Sequence, residues 1–174
     1  DHVTDPGGVR QSIGAINTVF RGEKGELVGT NTDAAGFFAP IAEDEWAFRD
    51  AIVIGAGGAA RAILFALAQA DIGSVTILAR SPLKAAALLS HFGLKGQVLK
   101  MDARLPPAEL LVNSSPLGMV GQPPLEIDLS PLPDNAVVYD IVYTPLETRL
   151  LAQARELGLD TVDGLDMLIG QAAF

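Results

Sequence analysis

The stretch Ala51-Ile52-Val53-Ile54-Gly55-Ala56-Gly57-Gly58-Ala59-Ala60 decides how the rest of the chain is read. Its first four residues are apolar and of strand length, and Gly55 ends the run. The residues over 59–70 are rich in Ala and Leu, which favours helix. Strand, glycine turn and helix in this order carry the G-x-G-x-x-A spacing with which a backbone wraps a pyrophosphate. Gly55 permits the tight turn, Gly57 lets the backbone approach the anion, and Ala60 lets helix and strand pack closely. The amides of Gly55, Ala56, Gly57, Gly58 and Ala59 would then face the ligand, helped by the helix dipole. Stripped of its flanks, the same run is only a Gly/Ala-rich turn.

Outward from this turn the pattern repeats. The sequence predicts strands over 74–79, 97–100, 110–113, 136–141 and 161–162. Helices are expected over 82–92, with Pro82 at the start, over 146–157, closed by Gly158, and from 165 to 174. Strands apolar on both faces, alternating with helices, indicate an α/β fold: a Rossmann-type doubly wound parallel sheet. Upstream, 13–21 and 26–30 read as a hairpin whose loop holds Gly22 and Gly25. A helix over 34–42 follows, with Thr32 or Asp33 as its cap.

The edge after the second strand chooses the cofactor. Dinucleotide sites for NAD place a carboxylate there for the ribose 2′-hydroxyl. Here the strand ends Leu78-Ala79-Arg80-Ser81, with Lys84 one turn later and no acid among them. A guanidinium, a hydroxyl, an ammonium and a helix N-terminus suit a 2′-phosphate, hence NADP. On its own this cluster is also an ordinary solvated helix start. The phosphate reading requires an unobstructed glycine turn and an Arg80 that faces the crevice.

Bulk properties exclude several classes. With 49% apolar residues among 174, the chain can bury a core. A net charge of −9 repels nucleic acid and anionic membranes, so neither is an expected partner, and a phosphate ligand needs a local cluster of donors. There is no cysteine, which removes disulfides, thiolate metal sites and thiol catalysis and fits a cytoplasmic location. His2 and His91 are isolated and the carboxylates scattered, so no metal site is expected. No apolar run is long enough to cross a bilayer, and no basic-then-apolar leader is visible.

Six stretches together resemble the shikimate dehydrogenase family and its quinate/shikimate relatives. They are Gly14-Ala15-Ile16-Asn17-Thr18, Asn31 through Phe37, Gly55 through Ala59, Asn113 through Met119, Tyr139 through Thr148, and Asp163 through Ala172. The resemblance implies a two-domain enzyme that interconverts 3-dehydroshikimate and shikimate with NADP(H), in aromatic amino acid biosynthesis. Residues 1–32 would be a C-terminal remnant of the α/β substrate-binding domain, and 33–174 the NADP-binding Rossmann domain. Asn17 and Asp33 would contact substrate hydroxyls, with Asp33 also half of a catalytic Lys-Asp pair. Tyr143 and Gln171 would reach the substrate from the cofactor side. Ile141 and Gly164 would line the nicotinamide pocket. From the residues alone, Asp33 reads rather as an N-cap, Asn17 as a hairpin-edge residue, Tyr143 as a packed aromatic and Gln171 as a surface residue.

Two departures stand out. The family often has Asn-Arg-Thr where this chain has Ala79-Arg80-Ser81, which removes one polar contact. The family's catalytic Lys precedes the Gly14–Thr18 motif, and no lysine precedes Gly14 here. The expectation is therefore a cofactor-binding fragment with little activity of its own. The alternatives are a quinate/shikimate paralogue using NAD, which Arg80 argues against, and a non-catalytic NADP-binding or sensing module. The expected partner is a small-molecule substrate, and oligomeric state is left open.

Overall fold

The computed structural model describes residues 12–14 and 16–172. His2, the remainder of 1–11, Ala15 and the expected helix end at 173–174 lie outside the described residues.

Six parallel strands form the sheet: β3 (Asp50–Ile54), β4 (Ser74–Leu78), β5 (Gly96–Leu99), β6 (Leu110–Asn113), β7 (Val137–Asp140) and β8 (Asp160–Val162). Their order is β5-β4-β3-β6-β7-β8, the doubly wound arrangement expected from the sequence. Helices α2 (Gly58–Gln69), α3 (Pro82–His91), α4 (Arg149–Glu156) and α5 (Gly164–Ala172) flank it. Ahead of them, β1 (Thr18–Arg21) and β2 (Leu27–Thr30) pair antiparallel as a separate two-stranded sheet, and α1 (Asp33–Phe38) leads into the main body.

Alternation within the strands builds two cores. Ala51, Val53, Val75, Ile77, Leu110, Val112 and Tyr139 face one side and are buried under α1, α2, α3 and α5. Ile52, Ile54, Leu78, Leu111 and Val138 face the other. There the cover is α4 together with irregular chain that contributes Leu105, Leu125, Leu129 and Leu132. Burial of four leucines at about 1.5–3 kcal/mol each makes this strap a large part of that face's stability.

Three elements differ from expectation. The helix over 34–42 ends as α-helix at Phe38 and continues as a 3-10 turn over Ala39–Ile41. Pro40 lacks the amide that would extend the ladder back to Gly36. The helix over 146–157 begins only at Arg149, because Thr148 caps it by accepting from the Leu151 amide at 3.3 Å. The first hairpin strand begins at Thr18 rather than 13: Gly14 has φ +73, and Ile13 turns into the core instead.

Close helix packing depends on glycine at one crossing. A Cβ on Gly170 would lie 2.8 Å from the Gly36 carbonyl oxygen, and one on Gly36 would lie 2.9 Å from that of Met167. The crossing of α1 and α5 is therefore backbone against backbone, and it brings the end of α5 onto the start of α1. Between α1 and α2 lies a mostly apolar groove of about 400 Å³, lined by Ala34, Ala35, Phe38, Phe65 and Ala66 among others. It offers no cluster of donors for a phosphate.

Candidate functional site

Strands β3 and β6 are neighbours whose connections leave the sheet in opposite directions, which opens a crevice beyond their carboxyl ends. Gly55 leaves β3 with φ +108, a conformation that a side chain resists. A Cβ there would also lie 2.9 Å from Ser114 Oγ and 3.3 Å from the Ser115 nitrogen at the end of β6. Ser114 in turn donates its hydroxyl to the Ile54 carbonyl at 2.7 Å, fastening the two strand ends together. Gly57 is the N-cap of α2 and makes no side-chain capping bond. Space above Gly57 and Gly58 is open to 4 Å, so backbone amides at this helix start are reachable by an anion.

The crevice holds about 620 Å³, of the size that takes a small ligand. Gly55, Ala56 and Gly57 form one wall, Ser114 through Leu117 another, and Ala79, Arg80, Ser81 and Lys84 a third. Arg80, Ser81 and Lys84 are exposed on the rim, and Ser81 is the N-cap of α3 without a side-chain bond of its own. The lining carries two cations and no carboxylate, against a chain of net charge −9. Gly58 and Ala59 begin α2 just beyond the lining residues.

Behind the crevice lies a polar network centred on Asp140, a residue to which sequence reading assigned no role. Asp140, fully buried at the end of β7, accepts from Asn113 Nδ2 at 3.0 Å, from the Val142 amide at 3.1 Å and from Thr148 Oγ1 at 2.7 Å. Burial pushes its carboxyl above the ordinary range, and the bonds from Thr148, Val142 and Asn113 pull back. Asn113 also donates to the Leu117 carbonyl and accepts from the Ser115 amide and hydroxyl. The loop that walls the crevice and the strand end that carries Ile141 and Tyr143 are thus tied to one carboxylate. An Asn and an Asp at the ends of neighbouring apolar strands were the available signal.

A second cluster forms where the hairpin meets α1 and α5. Asp33 Oδ1 accepts from Asn17 Nδ2 and from Gln171 Nε2, each at 2.6 Å. Asn17 Oδ1 accepts from the Thr32 amide at 3.0 Å and from the Thr18 hydroxyl at 3.1 Å, which fixes its orientation. Thr32, not Asp33, is the N-cap residue, and its side chain makes no capping bond. Asp33 opens the helix, and its carboxylate is turned onto Asn17 and Gln171. Desolvation raises its pKa above the usual value, while the Asn17 amide lowers it.

Of the other residues singled out in the sequence, Tyr143 is exposed beyond β7, just ahead of the cis Thr144–Pro145 peptide. Ile141 is half-buried against the core. Gly164 is buried, and a Cβ on it would lie 2.5 Å from the Ile141 carbonyl oxygen. Its contact is thus with the backbone that leaves β7, where only a glycine lets α5 begin. Ile141, Tyr143 and Gly164 do not line the 620 Å³ crevice. Among the described residues no group of three or more His, Asp or Glu could hold a metal, and no helix is long and apolar enough to cross a membrane.

A six-stranded parallel sheet in this order, with an uncapped glycine turn at the point where the strand order reverses, defines a dinucleotide-binding domain of the Rossmann class. No family model matches the chain. It is 65% identical over 173 residues to shikimate dehydrogenase (NADP+) of Sphingopyxis alaskensis, covering 99% of this chain and 63% of that protein. The crystal structure of shikimate 5-dehydrogenase from Thermus thermophilus in complex with NADP(H) and shikimate superposes with a TM-score of 0.80 at 39% identity, over 98% of this chain and 63% of that one. The ligand-free 5-ketofructose reductase of a Gluconobacter strain superposes with a TM-score of 0.87 at 33% identity, over 98% and 64%. Over the length it spans, the chain is similar to members of the shikimate dehydrogenase family. It spans less than two thirds of the length of these relatives.

Proposed function

We propose that the protein to which this chain belongs is an NADP-dependent shikimate dehydrogenase, interconverting 3-dehydroshikimate and shikimate. The observation that carries this reading is 65% identity sustained over 173 residues with a protein of that name. The residues fit the cofactor: an unobstructed glycine turn for the pyrophosphate, and Arg80, Ser81 and Lys84 with no carboxylate for the 2′-phosphate. Residues 33–174 form the cofactor domain, and residues 1–32 belong with the substrate domain. The separate β1–β2 sheet supports that boundary.

The bound dinucleotide supplies the hydride, and the chain supplies position and charge. Gly55 through Ala59 and the basic rim hold its phosphates. Ile141 and Gly164 flank the nicotinamide end. Asn17 and Gln171 hold Oδ1 of Asp33, leaving Oδ2 for the Lys that the family pairs with this residue. Ion pairing of that kind would oppose the desolvation that raises the Asp33 pKa, keeping the carboxylate charged and the ammonium oriented. The ammonium delivers a proton to the oxygen on which negative charge develops. Asn17, Asp33, Gln171 and Tyr143 read the substrate hydroxyls.

The test is NADPH oxidation by the complete protein with 3-dehydroshikimate, and NADP reduction with shikimate and quinate. Absence of turnover in both directions refutes the reading, and preference for NAD refutes the cofactor choice. The agreement with 5-ketofructose reductase, at a TM-score of 0.87, favours one further substrate for comparison. Higher kcat/KM on 5-ketofructose than on 3-dehydroshikimate would move the assignment to that reductase.

A further inference from the structure

Arg61 sits one turn into α2, directly after the glycine turn, and its backbone amide donates to the Gly57 carbonyl at 3.3 Å. Its side chain reaches back to the chain ahead of the hairpin. Nε donates to the Ile13 carbonyl at 2.6 Å. The guanidinium fills the space that a Cβ on Gly14 would need, with Cζ 2.9 Å from that position, and Gly14 has φ +73. The same group lies 5.8 Å from the Phe92 ring at the end of α3, a cation–π distance. His91, edge-on to Phe92, has Nε2 3.2 Å from the Ser12 carbonyl oxygen. Ser12 through Gly14 is thus fastened to the two helices whose N-termini wall the cofactor crevice. A few residues further on, Asn17 holds Asp33.

We infer that Arg61 is a positioning residue that sets the Asn17–Asp33 pair relative to the glycine turn. It does so by clamping Ile13 and Gly14 to the first turn of α2. Hydride transfer needs substrate and nicotinamide in register, and misplacement by about 1 Å can cost on the order of a hundredfold in rate. Arg61 is well suited to this because its planar fork is rigid and its charge permanent. The glycine at position 14 makes room for it. The inference rests on the shikimate dehydrogenase reading.

The test uses the complete enzyme with Arg61→Ala, Arg61→Lys, Gly14→Ala and the double variant Arg61→Ala/Gly14→Ala. Arg61→Ala is expected to lower kcat/KM for 3-dehydroshikimate at least about tenfold while the NADPH dissociation constant stays within about threefold. Arg61→Lys keeps a charge and a donor and should recover part of the loss. Gly14→Ala should reproduce the loss, and the double variant should fall short of the product of the two. A kcat/KM within twofold of the parent overturns the inference. So does a parallel loss of NADPH affinity, which would mean that Arg61 serves the phosphate turn alone. Hydrogen exchange at the Thr32 amide, bonded to Asn17 Oδ1, gives a readout without turnover. Faster exchange in Arg61→Ala supports the clamp, and unchanged exchange refutes it. A parent that fails to reduce 3-dehydroshikimate refutes the proposed function instead, and the exchange result still decides the clamp.

Discussion

Replacing Asp140 with alanine removes the acceptor from three donors at once. Asn113 Nδ2 keeps the Leu117 carbonyl, but the Val142 amide and the Thr148 hydroxyl lose their partner in a fully buried site. Each buried donor left unsatisfied costs about 1–3 kcal/mol, which sums to roughly 2–6 kcal/mol. Relief of the carboxylate's own desolvation offsets part of this, so about 2–4 kcal/mol is expected for Asp140→Ala. Asp140→Asn is a milder change. Its Oδ1 retains Asn113 and Val142, and Thr148 must turn its hydroxyl to meet an amide, at about 1 kcal/mol. Because folding raises the Asp140 pKa above 3.8, the folded state holds its proton more tightly than the unfolded one. The stability this proton confers is complete below that value and is lost as pH rises through the folded pKa. Asparagine has no such loss, so the gap between parent and Asp140→Asn should narrow from pH about 4 towards pH 7. Urea denaturation at several pH values measures both effects. A loss below 1 kcal/mol for Asp140→Ala, or a gap that widens with pH, would show that this carboxylate does not hold the two strand ends together.

Arg80→Ala should weaken NADP binding by about tenfold, near 1.4 kcal/mol for one exposed charge-assisted contact, with NAD affinity nearly unchanged; equal losses for both would refute the 2′-phosphate assignment. Gly57→Val should abolish cofactor binding yet leave the thermal midpoint within a few degrees, since open space surrounds that position. Gly55→Ala should lower stability by the roughly 1–2 kcal/mol of a left-handed residue plus the clash with Ser114, and calorimetry separates the pair. Asp33→Asn should abolish turnover of the complete enzyme, and in the 174-residue chain, without the pairing Lys, it should raise stability at neutral pH. The raised pKa of Asp33 means that its stabilising contribution is present below 3.8 and is lost as pH rises through the folded value. A lower melting midpoint for Asp33→Asn at pH 7 than at pH 4, relative to the parent, would contradict that.

The parallel sheet was readable because its strands are short apolar runs between glycine-marked turns, and Gly55 through Ala60 marks the point where the winding reverses. The positions of these six strands fell within a residue or two of expectation, even at the edge strands β5 and β8, none of whose residues is fully buried. Helix starts were less legible. Leu146 and Glu147 carry helical propensity, but the capping bond of Thr148 decides where the hydrogen-bond ladder begins. Asp33 shows the limit of local reasoning. An acid before a helix is ordinarily a cap, and it takes Asn17, 16 residues back, and Gln171, 138 residues on, to reveal that the carboxylate is turned elsewhere. Arg61 escaped notice for the same reason, since its partner is the Ile13 carbonyl, 48 residues back. Asp140 meets the Val142 amide two residues on and the Thr148 hydroxyl eight residues on, groups that carry no sequence signature. The rim at Arg80 was legible because the discriminating feature is a missing carboxylate.

The strap of leucines across one face of the sheet sets how that face breathes. Leu105, Leu125, Leu129 and Leu132 hang on irregular chain, so each can lift without unwinding a helix. The opposite face lies under α1, α2, α3 and α5, and the longest of these, α2, is a helix of 12 residues that must move as a unit. Side chains on the strap face, such as Ile54 and Leu111, should therefore meet solvent through small, frequent openings. Those on the helix-covered face, such as Val53 and Val112, should wait for rarer events.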